Sequence, residues 1–144
     1  MTEKETPDPE STLVFRPCGR AFFPHYLAMA ICFFGPSINP KVGLPVWLGM
    51  VLGLSLVAAV VYMRWGQEYQ VTPQGVSKVW RWGDRRVDIP WENVGEVLVR
   101  RGLTQTILKV GNLIIRDKSG GPGLFWFGLA DPKGVKAVIE ERSR

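Results

Sequence analysis

The chain has 144 residues, 46% apolar and 22% charged, with a net charge of +5. That average would suit an ordinary globular domain, but residues 21–63 hold a single formal charge, Lys41, while residues 64–144 carry fourteen Lys/Arg against nine Asp/Glu. The basic stretch is long enough for one small core and too short for two, and no recognised nucleic-acid motif accompanies its charge, so nucleic acid is not expected as a partner.

Residues 1–11 are polar, with Pro7, Pro9 and four acids, and read as a disordered tail that lacks the basic n-region of a secretory signal. Residues 12–20 form a pre-membrane segment, β-prone over 12–15 and basic at Arg16 and Arg20. Residues 21–65 read as a transmembrane hairpin. Its second run, 44–63, is twenty residues without a charge, about 30 Å of helix and close to the hydrocarbon thickness of a bilayer. The first run, 21–38, contains Pro24, His25, Gly35 and Pro36. Its regular middle is expected over 26–34, either crossing with irregular ends or re-entering.

The reversal is expected over 35–45, where prolines and glycines stop both helices. Trp47 at one end, and Tyr62 and Trp65 at the other, suit the headgroup belts. Arg16, Arg20 and Arg64 against Lys41 alone in the loop place both termini in the cytoplasm. Gly49 and Gly53, with Ser55 and Ala59, give small-residue spacings that let helices approach closely. They point to packing on Ala28 and Cys32 of the first helix, or to contact with another protein. Cys18 and Cys32 are too far apart along the chain's expected path for a disulfide, and with one histidine no metal set is expected.

From Gly66 the pattern alternates, and a domain over 66–144 follows. Strands are predicted over 67–72, 76–82, 85–89, 95–101, 109–118 and 124–129. The 73–75 segment is a turn, Gly83-Asp84 a two-residue hairpin turn, and 90–93 a single helical turn. Trp80 and Trp82 are expected on one face, with Val87, Ile89, Val97 and Val99 inward. The 102–108 segment fits neither period. Asp131 followed by Pro132 caps a last helix whose Val135, Val138 and Ile139 form an apolar stripe.

Antiparallel strands closed by one C-terminal helix suggest a specific architecture. Residues 69–76 (YQVTPQGV), 88–94 (DIPWENV) and Ala130-Asp131-Pro132 with Val135 and Ile139 resemble elements of the bacterial membrane-associated pleckstrin-homology-like family. The similarity spans roughly 13–142. It departs at residues 110–114 (VGNLI), where a single glycine stands in place of a Gly-x-Gly approach. The resemblance implies a membrane α-helical hairpin plus a β-rich pleckstrin-homology-like barrel or sandwich closed by one C-terminal α-helix. It also implies a bacterial inner-membrane protein without catalytic residues.

The residues themselves offer little chemistry. His25 is the only histidine, and Asp84, Asp88, Glu92 and Glu96 read as solvated charge. The 120–123 segment (GGPG) lacks the Lys-Ser/Thr that phosphate cradling needs. No cofactor and no enzymatic activity are expected. The candidate site is basic and aromatic: Trp80, Arg81, Trp82, Arg85 and Arg86 at one hairpin tip, with Arg100 and Arg101 ending a strand. Arginine beside tryptophan suits an anionic bilayer surface or an acidic protein partner. The expected partners are thus the lipid bilayer and a second membrane protein or another copy of the chain. The reading is a non-enzymatic, membrane-anchored interaction module. The alternative is a small accessory subunit of a larger membrane complex, held mainly by its helices.

Overall fold

The computed structural model describes residues 10–144. Most of the tail expected over 1–11 therefore lies outside the described residues. The first element is a three-residue strand, β1 (Leu13–Phe15), followed by a 3-10 turn (Gly19–Phe22) and two long helices, α1 (Phe23–Ile38) and α2 (Val46–Trp65). Then come β2 (Gln67–Val71), β3 (Gly75–Trp80), β4 (Arg85–Pro90), a 3-10 turn (Trp91–Asn93) and β5 (Val94–Arg100). A short helix α3 (Leu103–Ile107), β6 (Gly111–Asp117), β7 (Leu124–Leu129) and α4 (Pro132–Arg142) complete the fold.

The strands form two antiparallel sheets, ordered β1-β2-β3-β4 and β5-β6-β7. Alternation supplies the core, because every second residue of a strand faces the same way. Tyr69, Val71, Val76 and Ile89 from one sheet meet Val97, Leu113, Ile115 and Trp126 from the other. Helix α4 closes one side with Val135 and Ile139, its start fixed by Asp131, whose carboxylate accepts from the Gly134 N–H at 3.0 Å.

The two sheets do not hydrogen-bond into a closed barrel, so the sandwich form of the expected architecture is the one adopted. Side chains span the open seam instead. The Tyr69 hydroxyl accepts from the Phe127 N–H at 2.8 Å and donates to the Phe127 carbonyl at 3.3 Å. The Tyr69 ring stacks on Trp126 at 5.2 Å. Lys78 reaches across to the Phe125 carbonyl at 2.9 Å.

Strand β1 joins the first sheet from ahead of the helices. Phe15 pairs with Tyr69 and Leu13 with Val71, so the first sheet takes its edge strand from the segment before the helices. The first sheet thus takes in residues from both sides of the helices, and the helical pair is inserted between its first two strands. Three residues carry no readable period, and their partner strand lies beyond both helices, which is why the pairing left no local signal.

The helical pair also differs from expectation. Helix α1 runs through both of its prolines, and the reversal shrinks to 39–45. Pro24 sits in the first turn, where no N–H is needed. Pro36 lies inside the helix and leaves the carbonyl four residues earlier, that of Cys32, without its usual donor. Helix α2 meets that carbonyl with a glycine: a Cβ on Gly49 would stand 2.5 Å from the Cys32 oxygen and 2.9 Å from Pro36 Cγ. One turn on, a Cβ on Gly53 would meet the Phe33 ring at 2.6 Å. The two glycines therefore face α1 of the same chain.

Candidate functional site

The site is positioned by strand register. Helix α2 runs into β2 through Gly66 alone, and Gln67 pairs with Trp80. The β3–β4 tip, residues 81–84, therefore overhangs β2 and lies beside the last turn of α2. The Arg81 N–H donates to the Gly66 carbonyl at 2.8 Å, and the Trp82 ring packs edge-on against Tyr62 of α2 at 5.7 Å. Trp82 remains 58% exposed, and Trp65 and Tyr62 are also exposed.

The tip is a four-residue turn rather than the expected two-residue one, with Asp84 in the left-handed region at φ 45°. Strand β3 consequently ends at Trp80, and the two tryptophans part company. Trp80 lies on the inner face, its ring covered by Lys78 Nζ at 4.8 Å and the Arg85 guanidinium at 5.3 Å. Burial lowers the pKa of Lys78. Trp82 belongs to the turn and reaches the helix.

The arginines divide as well. Arg81 lies 3.5 Å from Glu68, whose carboxylate also accepts from Arg16 Nε at 3.1 Å. That pairing ties the chain entering the helices to the chain leaving them. Arg86 faces outward, away from the tip cluster, donating to Asp88 at 2.7 Å and to the Ser77 hydroxyl at 3.2 Å. Burial works against ionisation of Asp88, but hydrogen bonds from Ser77 and Arg86 and the Arg86 charge prevail and hold its carboxyl below the ordinary value. The structure thus groups Trp80, Arg81, Trp82 and Arg85 with Tyr62, places the Arg64 guanidinium by Gly19 and the Trp65 ring, and leaves Arg86 on a different face.

Arg100 and Arg101 belong to the second sheet but to the same end of the molecule. Arg100 pairs with Asn112 at the start of β6, and Gly111 pairs with Leu129 at the end of β7. That end is fixed to the helices by a second apolar cluster. Val110, Leu108 and Phe127 from the sheet side join Ala21, Phe22, Val60 and Met63 from the helix side. Gly128 makes the join possible: its φ is 66°, its carbonyl accepts from Cys18 N–H at 2.7 Å, and a Cβ there would lie 2.6 Å from that of Ala21.

Within this end lies a feature that sequence reasoning missed. Helix α3 holds Leu103 at 89% and Ile107 at 80% exposure, four residues apart on one helical face. The readable signal was that spacing between Arg101 and Lys109. Five helical residues are too few for a period to stand out from the flanking strands.

His25 contacts Phe22 edge-on at 5.8 Å with its Nδ1 enclosed and unpaired, and Cys18 and Cys32 are free thiols. Among the described residues no group of three or more His, Cys, Asp or Glu side chains converges as a metal set would.

The family model described as the bacterial PH domain matches residues 25–142. The chain belongs to the bacterial PH domain family. Membership points to a non-catalytic interaction module. In this bacterial PH domain the match begins inside α1, so both helices fall largely within the family unit, while β1 lies ahead of it. No curated protein and no solved structure matches the chain.

Proposed function

We propose that the chain is a non-enzymatic, membrane-anchored interaction module of the bacterial inner membrane. In this reading α1 and α2 cross the bilayer, both termini are cytoplasmic, and the PH unit rests on the anionic cytoplasmic leaflet. Three features support the spans. Both helices are long and apolar enough to cross, and only 17% of each apolar window is buried, unlike the core helix of a soluble protein. Their outward residues, among them Leu27, Ile31, Phe34, Trp47 and Leu54, are a broad apolar surface that water would penalise. Because β1 pairs with β2 across the insertion, the two helices cross together or not at all.

The observation that carries the leaflet contact is the packing of Trp82 on Tyr62. If α2 crosses, Tyr62 lies at its cytoplasmic end, and the tip that touches it lies in the headgroup layer. Trp82 and Trp65 then sit where indoles concentrate, with Arg81, Arg85 and Arg64 among lipid phosphates. Each cation near an anionic surface contributes about 1 kcal/mol. The accessory-subunit alternative loses its main residue-level support, since Gly49 and Gly53 are occupied by α1.

Hydrogen exchange of the full chain in nanodiscs tests this reading. Amides 81–85 are expected to exchange more slowly with phosphatidylglycerol present than in phosphatidylcholine alone, and Arg81→Glu with Arg85→Glu should abolish the difference. Equal exchange in both lipids would remove the leaflet contact. Extraction of the chain from native membranes by alkaline carbonate would remove the spans as well.

A further inference from the structure

We propose that α3 is a wedge that inserts into the acyl layer of the cytoplasmic leaflet, Leu103 and Ile107 entering the hydrocarbon and Arg100, Arg101 and Lys109 meeting lipid phosphates. This rests on the membrane-crossing reading of α1 and α2. Two large aliphatic side chains at 89% and 80% exposure, on one face of a helix, leave an apolar surface that the chain itself does not cover.

The helix is held rather than loose. The Gln105 side chain accepts from the Gly102 N–H at 3.1 Å and donates to Asn112 at 3.3 Å, and Asn112 accepts from the Gly128 N–H at 3.0 Å. Directly after α3, Leu108 and Val110 enter the cluster formed with Ala21, Phe22, Val60 and Met63. Those four residues belong to the cytoplasmic ends of the helical pair, so the segment carrying Leu103 and Ile107 is anchored at the depth where the bilayer begins.

The charge selects the occupant. Residues 97–116 contain Arg100, Arg101, Lys109 and Arg116 and no Asp or Glu. Arg100, Arg101 and Lys109 have no carboxylate partner among the described residues. Exposed aliphatic residues flanked in the chain by unpaired cations match an anionic lipid surface, apolar below and negative above. The wedge lies on the second sheet, apart from the Trp82 tip on the first. Together they would give the PH unit two leaflet contacts, one under each sheet, and fix its tilt.

Single cysteines carrying a spin label test the wedge in the full chain, with Cys18→Ala and Cys32→Ala as background and vesicles of phosphatidylcholine with a minority of phosphatidylglycerol. Labels are placed in turn by Leu103→Cys, Ile107→Cys, Leu54→Cys in α2 and Ser119→Cys in the β6–β7 turn. All four sites are exposed, so labelling leaves the packing intact. Collision with oxygen relative to a water-soluble nickel chelate should be several-fold higher at 103 and 107 than at 119, approaching the value at 54. Labels at 103 and 107 that match 119 while 54 is lipid-like overturn the wedge and leave the spans standing. A water-like label at 54 overturns both. Labels that are water-like in vesicles but screened in native membranes would assign α3 to a protein partner, and that also overturns the wedge.

Discussion

Replacing Tyr69 with phenylalanine should remove the polar tie between the two sheets without disturbing their apolar contact. The ring keeps its stack on Trp126, but the Phe127 N–H, held at 2.8 Å by the phenol, loses its acceptor in a buried seam. An unsatisfied buried donor costs about 1–3 kcal/mol, and that is the expected loss near neutral pH. Burial, only partly offset by the Phe127 hydrogen bond, pushes the Tyr69 phenol up to about 12.

The folded chain therefore holds this proton more tightly than the unfolded chain. The associated stability is complete below the unfolded value near 10 and is lost as pH rises toward 12. The loss should reach about 1.4 kcal/mol one unit above the unfolded value, so parent and variant should converge under strong alkali. Urea titrations of both full chains in a non-ionic micelle, read by near-UV circular dichroism at several pH values, measure the difference and cancel the other titrating groups. A neutral-pH difference below about 0.5 kcal/mol, or one that widens with alkali, would refute the account of the seam.

Other expectations rest on different contacts. Gly128→Ala should cost about 1–2 kcal/mol from its left-handed backbone and more from the approach to Ala21. Adding Ala21→Gly should recover the second part only, and a Gly128→Ala chain with an unchanged urea midpoint would contradict the join described here. Asp88→Asn releases Arg86 and Ser77 on a half-exposed surface, so its cost should not exceed about 1 kcal/mol. Because the Asp88 carboxyl is held low, that stability is present above about pH 4 and is lost as pH falls through the folded value. Melting curves of parent and variant should therefore meet in acid.

Much of the sheet unit was legible because it follows local rules. Strands β2 and β4 to β6 show the period of two, β7 is a short apolar run, Asp131-Pro132 is start chemistry that helices need, and the turn residues of 73–75 and 120–123 break the pattern between strands. What escaped depends on distant partners or on competition between neighbours. Strand β1 acquires meaning only by pairing with β2. Pro36 would end a helix on local grounds, yet α1 runs on to Ile38, with Gly49 of α2 packed against the carbonyl that Pro36 leaves without a donor. Gly83-Asp84 suggested the tightest turn, but the contacts of Arg81 with Gly66 and of Trp82 with Tyr62 draw two more residues out of the strand. Those same contacts separate Trp82 from Trp80 and fix the site's position, so the residue types at the tip were readable while their arrangement was not.

The insertion of both helices between β1 and β2 bears on how the chain assembles during synthesis. Arg16 and Glu68 are 52 residues apart, and closing a flexible loop of that length before any sheet exists would be slow. An antiparallel helical pair returns its two ends to one place, so once formed it converts this remote pairing into a local one. The first sheet would nucleate from its own anchor, with β1 waiting until α2 delivers β2. Cutting the chain at residue 66 to obtain a free-standing domain would discard both the edge strand and the device that brings it home.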